Sequence, residues 1–475
     1  MKLNLKSIIA VFAVLAVAMP LALKAAPATI ISCANFKDTT GNMIQAHGAG
    51  IIQVGNVYYW FGEDKSLQKA TFNGINCYES TDLVNWKFDR KVLPVGAKNS
   101  DLGGKYVGER PKVIYNASTQ QYVMYIHIDT PLTYTLAKVG VATCSTVNGT
   151  YTYQGSFQPV GEQSRDMTLF KDDDGKAYLI HSANSNKDTA IDLLSSNYLT
   201  AVSNVTTIFK GAQREAPCMV KSNGIYYLLT STSTFWAPSQ AMISTATNIA
   251  GPWSALQNIG SSTTYNSQGA YIISVSGSAA TSYIFCGDSW NGDSSGNTWN
   301  IGNSRYVWLP LDLSGPTPAL NYYDNWDIDT ATGQYSAPLP TDMIVVNDSV
   351  VGTSDNQFQY FGSWGYSGQA GCYDGDNTWS NTTNDHYQIS FTGVQVSLYA
   401  SFAPTHAIAA ISIDGGSETM VDFYSSYRND GISVYSSPVL PYGHHTLNVR
   451  DTGTHYSSST NYYITADKVD IDTGL

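Results

Sequence analysis

Five polar residues stand ahead of five similar segments: His47 in "HGAGIIQVGNVYYWFGED", Glu109 in "ERPKVIYNASTQQYVMYIH", Asp166 in "DMTLFKDDDGKAYLIH", Glu215 in "EAPCMVKSNGIYYLLTS" and Gln268 in "QGAYIISVSGSAATSYIFCG". Each lies nine residues before a turn position (Asn56, Ser118, Gly175, Gly224, Gly277), with an apolar run before the turn and an aromatic, apolar run after it. Three of the five are carboxylates. Gathered in one partly desolvated hollow, carboxylates cannot all ionise freely, because burial and like charge both raise a carboxyl pKa, so one can keep its proton near neutral pH. Hydrolysis of a glycosidic bond needs that arrangement: a protonated carboxyl for the leaving oxygen and, across the sugar, a group that takes a proton from water. In inverting hydrolysis the two groups stand about 6.5 to 9.5 Å apart to admit the water.

The elements that must bring these residues together follow from their spacing. The intervals between them are 62, 57, 49 and 53 residues, each long enough for four strands and their connections. Self-similarity at about 50 residues points to a β-propeller, and five copies to five blades. The first strand of each blade lines the axis, so the five residues are expected to converge on one funnel. Second hairpins fill the gaps, as in "CYESTDLVNWKF" and "MISTATNIAGPWSAL", where Trp86 and Trp253 are expected to pack between blades. Asp172, Asp173 and Asp174 fit a hairpin turn better than a calcium loop.

Composition agrees with an all-β chain: 33 tyrosines, 10 tryptophans and 40 glycines, with only 13% charged residues. The repeat rhythm ends after "NYYDNWDIDTATGQYSAPLPTD". A second unit, residues 341–475, has strands of period two joined by Gly/Asp/Ser turns, which predicts a β-sandwich (jelly-roll-like) module behind the propeller of residues 27–330. Residues 1–26 carry lysines, an apolar run and small residues at Ala25 and Ala26, the pattern of a secretory signal peptide, so a secreted, extracellular protein is expected. No later segment is long and apolar enough to span a bilayer. A net charge of −12 without a Lys/Arg cluster excludes nucleic acid as a partner.

The six cysteines contain no CxxC pair and the histidines no HExxH, which argues against zinc. Disulfides are plausible, but five of the six cysteines precede residue 300, so at least one stays free or pairs outside that region. Sequons at Asn116, Asn148, Asn204, Asn347 and Asn381 predict surface loops and, in a eukaryotic secretory route, glycans. Glu63, closing the second strand of the first repeat, His47, Trp236 in "TSTSTFW" and Tyr134 in "PLTYTLAKV" are the candidate sugar contacts.

The "RDMTLFKDDDGKAYL" and "EAPCMVKSNGIYYLLTS" segments resemble glycoside hydrolase family 43, over about residues 27–330. The resemblance implies a five-bladed, inverting enzyme in which Glu215 is the general acid and Asp166 tunes and orients it. The first repeat departs from it: "QAHGAG" offers no aspartate as general base. That departure, with "FGEDKS", "GERPKVIYN" and "NSQGAY", is similar to the exo-β-1,3-galactanase branch, which implies that Gln268 serves as base through an imidic acid tautomer, with Glu109 the next choice. A neutral amide takes a proton on oxygen only while shedding one from nitrogen, so Gln268 needs a partner such as Glu109 or a water. The implied partner is β-1,3-galactan, the backbone of arabinogalactan, attacked by a monomer from its non-reducing end without a catalytic cofactor. The alternatives are another family 43 activity, arabinofuranosidase or β-xylosidase, or a sugar-binding propeller without catalysis. Residues 341–475 resemble a family 35 carbohydrate-binding module in "FTGVQVSLYASFAPTHAIAAISIDGG" and "YYITADKVDID". This implies a possible structural calcium, although "MIVVNDSVVG" replaces the usual paired acids and leaves the metal ligands unknown. Trp364, Tyr366 and Trp379 are its candidate sugar-binding aromatics.

Overall fold

The computed structural model describes residues 27–34, 36–96, 100–291, 301–315, 317–337, 343–438 and 440–473. The expected signal segment lies outside the described residues. Among those described there is no α-helix, only short 3-10 turns such as Pro159–Gly161 and Ile301–Asn303, and no helix long and apolar enough to cross a membrane.

Each repeat folds as one antiparallel four-stranded sheet whose strands follow chain order. The first strands are His47–Val54, Val107–Asn116, Met167–Lys171, Arg214–Ser222 and Gln268–Ser276. Each touches the first strand of the next sheet, and the fifth returns to the first, so the five close a ring. In the first four sheets burial is lowest at the fourth strand. Val107–Asn116 is buried almost throughout, whereas the fourth strands, such as Lys87–Leu93 and Ala201–Ile208, are largely open to solvent. Hence the inner strands read as apolar runs and the outer ones as polar.

Apolar layers fill the spaces between neighbouring sheets. Trp60, Trp86 and Trp308 meet between the first and fifth, with Trp60 and Trp86 ring centroids 5.2 Å apart. Trp253 packs against Met219 and Ile180 between the third and fourth. Both sequence-predicted packing tryptophans therefore do that work. Ala28–Ile31 pairs with Asn325–Asp329, which pairs with Gln334–Ser336.

The C-terminal residues form two larger antiparallel sheets. One holds Met343–Asn347, Lys468–Asp472, Gln395–Phe402 and Asn429–Ser436; the other Phe358–Phe361, His386–Gly393, Gly443–Asp451, Ile408–Ile413 and Thr419–Asp422. Leu398, Val396 and Val469 from the first share one apolar cluster with Tyr387, Ile389 and Val449 from the second. This unit is docked on the ring. Arg305 donates to Ser433 O at 3.1 Å with its guanidinium 4.4 Å over Phe402, and Tyr399 donates to Asp324.

Two expectations need correction. All six cysteines are unpaired. Asn116 and Asn347 are buried, with Asn116 bonded to Ser196 O at 2.8 Å, so these sequons do not mark surface loops; Asn204 and Asn381 are exposed.

Candidate active site

The five polar residues stand within two residues of the start of the first strands, and four of these strand heads are irregular. The ladder shifts register between His47 and Gly50, Glu109 and Lys112, Glu215 and Cys218, and Gly269 and Tyr271. Such bulges re-aim side chains. At three of them the residue after the polar one is left-handed: Gly48 at φ 63°, Arg110 at 52° and Ala216 at 53°. A Cβ on Gly48 would stand 2.4 Å from Glu63 Oε1 and 3.0 Å from Arg110 Cα, so no other residue fits there. Lys112, fully buried, donates to Gly48 O at 2.9 Å and ties the second strand head to the first.

The heads surround a cavity of about 150 Å³. Glu109, Asp166, Glu215, Gln268, Glu63, Tyr134 and Trp236 all line it. His47 does not: it is fully buried behind the wall, 3.0 Å from Asp288 Oδ1, stacked on Tyr306 and 5.4 Å from the Trp290 ring. Trp236 is edge-on to Trp290 at 4.9 Å within a packed cluster, and Phe235, 44% exposed, is the freer aromatic at the rim.

Arg110 ties the heads together. Its Nε lies 2.9 Å from Asp166 Oδ2, Nη2 donates to Gln268 Oε1 at 2.5 Å, Nη1 to Gly269 O at 2.9 Å, and its backbone N–H to Glu63 Oε1 at 2.9 Å. Lys65 Nζ stands 2.7 Å from the other Glu63 oxygen, an ion pair whose angle falls short of a hydrogen bond. Burial nonetheless raises the Glu63 carboxyl, with Lys65 opposing. Glu109 accepts from Tyr134 OH at 3.3 Å, and its second oxygen lies 3.3 Å off-line from His127 Nδ1. Burial works against protonation of His127, but Asp129, 3.1 Å from Nε2, and Glu109 outweigh it and lift its pKa to about 9. His127 is therefore an imidazolium at neutral pH.

Glu215 Oε1 accepts from Gln268 Nε2 at 2.8 Å and Oε2 from Asn186 Nδ2 at 3.1 Å. Burial first, and then the charge of Asp166, push its pKa up to about 8, against the pull of Ser233 and Arg110. Asp166 also accepts from Ala216 N–H at 3.1 Å, which fixes the two carboxyls relative to each other. The cavity thus holds a carboxyl protonated at neutral pH beside compensated carboxylates. Gln268 Oε1 additionally accepts from Trp290 Nε1 at 3.1 Å, while Nε2 also reaches Ser231 Oγ at 3.2 Å. Arg and Trp only donate, so the amide orientation is forced.

Sequence reading missed Arg110, His127, Asn186, Ser233 and Trp290 as cavity residues. One signal was available. Cross-strand register places Glu63 opposite His47, His127 opposite Glu109, Ser231 opposite Glu215 and Asp288 opposite Gln268. The hairpins that locate the heads therefore also locate a second tier of polar partners. Arg110, Asn186, Ser233 and Trp290 lie outside this pattern.

Two places could hold a metal. Glu109, His127 and Asp166 bring ligand atoms within 4.8 Å of one another, but Asp166 already faces the Arg110 guanidinium at 2.9 Å, which disfavours a second cation there. In the C-terminal unit both Asp348 oxygens, Asp467 Oδ2 and Asn347 Oδ1 are buried without a hydrogen-bond donor. Burial raises Asp348 to about 6, opposed by nearby Thr378, and Asp467 to about 7, opposed by its bond from Tyr373 N–H. Uncompensated oxygens of this kind suit a hard cation.

Comparison with known proteins agrees with this geometry. Residues 45–277 match the profile of "Glycosyl hydrolases family 43". A curated β-xylosidase of Bacillus subtilis (strain 168) is 27% identical over 222 residues, 40% of this chain and 38% of that protein, so the chain spans well under half of that relative. Among solved structures, the exo-β-1,3-galactanase of Phanerochaete chrysosporium, in a Glu-to-Gln variant with β-1,3-galactotriose, is 33% identical; the match covers 93% of this chain and 99% of that one, with TM-score 0.75. The exo-β-1,3-galactanase of Clostridium thermocellum is 41% identical over 68% of this chain and 72% of its own, with TM-score 0.61.

Proposed function

Because the chain belongs to glycosyl hydrolase family 43, we propose that it is a secreted, monomeric, inverting exo-β-1,3-galactanase that releases galactose from the non-reducing end of β-1,3-galactan. In this reading residues 27–330 are a five-bladed propeller and residues 341–475 a sandwich module of the family 35 carbohydrate-binding type. The observation that carries the reading is Glu215: a buried carboxyl lifted to about 8 by burial and by Asp166, lining the same cavity as Glu109. The likeness to galactanases across nearly the whole chain supports the substrate.

Glu215 protonates the leaving oxygen. Asp166, held by Arg110 and by Ala216 N–H, keeps the proton on Glu215 by its charge and sets its direction. The resemblance makes Gln268 the base, yet both lone pairs of Oε1 already accept, from Arg110 and Trp290, and Nε2 has none to offer. A second reading therefore has support: Glu109, met only by Tyr134 and by the imidazolium of His127, keeps acceptor capacity and takes the proton. Calcium at Asn347, Asp348 and Asp467 would neutralise their buried oxygens and serve stability, not chemistry.

Leaving-group dependence tests the assignment. Glu215→Gln should lose far more rate on β-1,3-galactobiose than on an aryl β-galactoside, whose leaving group needs no acid. Equal losses, or near-normal turnover of galactobiose, would remove Glu215 from the role. Loss of the base should slow both substrates alike, so Gln268→Ala and Glu109→Ala decide between the two candidates. Preferential release of arabinose or xylose would replace the galactan reading by the other family activities.

A further inference from the structure

A second cavity, about 820 Å³, lies between the ring of sheets and the C-terminal unit, and neither forms it alone. Tyr265, Tyr322 and Tyr323 line it from one side, Tyr399, Arg428 and Lys468 from the other. Its walls are fixed: Tyr265 OH donates to Leu320 O at 2.8 Å, Tyr265 and Tyr322 rings stand 5.3 Å apart, and Tyr399 is bonded to Asp324 across the junction.

The lining selects a chemical class. Arg428 Nε is 2.8 Å from Asp430 and Lys468 Nζ 2.7 Å from Asp470, so each cation is neutralised by its own carboxylate and neither is left for an anion. What remains is Asp324, which accepts from Tyr399, and tyrosine faces beside hydroxyl, amide and backbone groups, the mixture that matches a neutral sugar with its apolar faces and hydroxyl edges.

The position ties the cleft to catalysis. Its loop at 261–266 leads directly into Gln268, and Asn266 and Asn429 also line a small recess with Trp290, whose indole bonds Gln268. Tyr427 of the C-terminal unit donates to Trp290 O at 3.4 Å. One wall thus separates the catalytic cavity from the cleft. An exo-acting site takes only the chain end, and the rest of the polymer must lie against the surface beyond.

We propose that the cleft between the two units is a second binding site for neutral galactan, holding a stretch of polymer beyond the end engaged in the catalytic cavity. This rests on the galactanase reading. The test compares galactobiose, too short to reach the cleft, with long β-1,3-galactan, using Tyr323→Ala to remove a stacking face and Ser262→Trp to fill the cleft from its exposed rim. Both variants should turn over galactobiose within about 2-fold of wild type but lose about 10-fold in kcat/KM on the polymer, carried by KM. Unchanged polymer kinetics in both variants would overturn the proposal. A wild type that hydrolyses neither substrate would instead refute the galactanase reading. The cleft is then judged by calorimetry with galactan alone: weaker binding by Ser262→Trp supports it, and equal binding overturns it.

Discussion

Buried carboxylates occur in two regions, and the two treat them differently. At the strand heads each one facing the cavity has a built-in companion: Lys65 for Glu63, Arg110 for Asp166, His127 for Glu109, and the amides of Gln268 and Asn186 for Glu215. In the C-terminal unit Asp348 has no donor on either oxygen and Asp467 lacks one on Oδ2. Burying an uncompensated charge is costly. The first region meets the cost with its own cations and leaves one acid, Glu215, protonated for use. The second leaves these three oxygens without a built-in companion.

The contrast is broken most directly at its catalytic end. Glu215→Gln removes the one proton that the network keeps available and should lower kcat on galactobiose by roughly 10³-fold, while the fold stays intact. Galactose release against a thermal melt checks both halves. Arg110→Met is expected next. It strands Asp166 and Gln268 together and should cost about 3 to 5 kcal/mol of stability, because removing one partner leaves the other charge buried and unpaired; denaturant unfolding measures it.

At the other region the effect should come from outside the chain. Calcium at about 100 times its Kd should add about 2.7 kcal/mol of stability, and a chelator should remove it. Asp348→Asn should abolish the response while leaving galactobiose turnover untouched. A melt indifferent to calcium in the wild type would mean that these acids are held by protonation alone.

The strand heads were legible in the sequence because a nine-residue offset to a turn is backbone geometry, repeated wherever a hairpin starts the same way. Glu109, Asp166, Glu215 and Gln268 follow from it directly. His47 shows the limit: spacing gives the position along a strand, but the bulge at Gly48 decides which way the side chain faces, and it turns His47 behind the wall onto Asp288. Charge compensation was less legible. Arg110 adjoins Glu109 in sequence, yet only the meeting of four sheets makes it the shared partner of Asp166, Gln268 and Glu63. Asn186 and Trp290 enter from connecting segments, where no periodicity reports direction. In the C-terminal unit, Asn347 reads as a glycosylation site until burial places it beside Asp348 and Asp467.

The smallest effect should be the most diagnostic of how the two regions differ. Glu215 must be protonated to act, so kcat should fall as pH rises through about 8, with His127 still charged because its own pKa lies near 9. Stability carries the same sign. The folded pKa of Glu215 stands above its ordinary value of 4.5, so its contribution is complete below that value and is lost as pH rises through about 8. Glu215→Gln should flatten this part of the stability profile, whether or not calcium is present, because the group responsible sits in the internally compensated region. If the slope instead disappears on adding calcium to the wild type, the pH-sensitive charge belongs to the C-terminal acids, and Glu215 is not the proton store of the cavity.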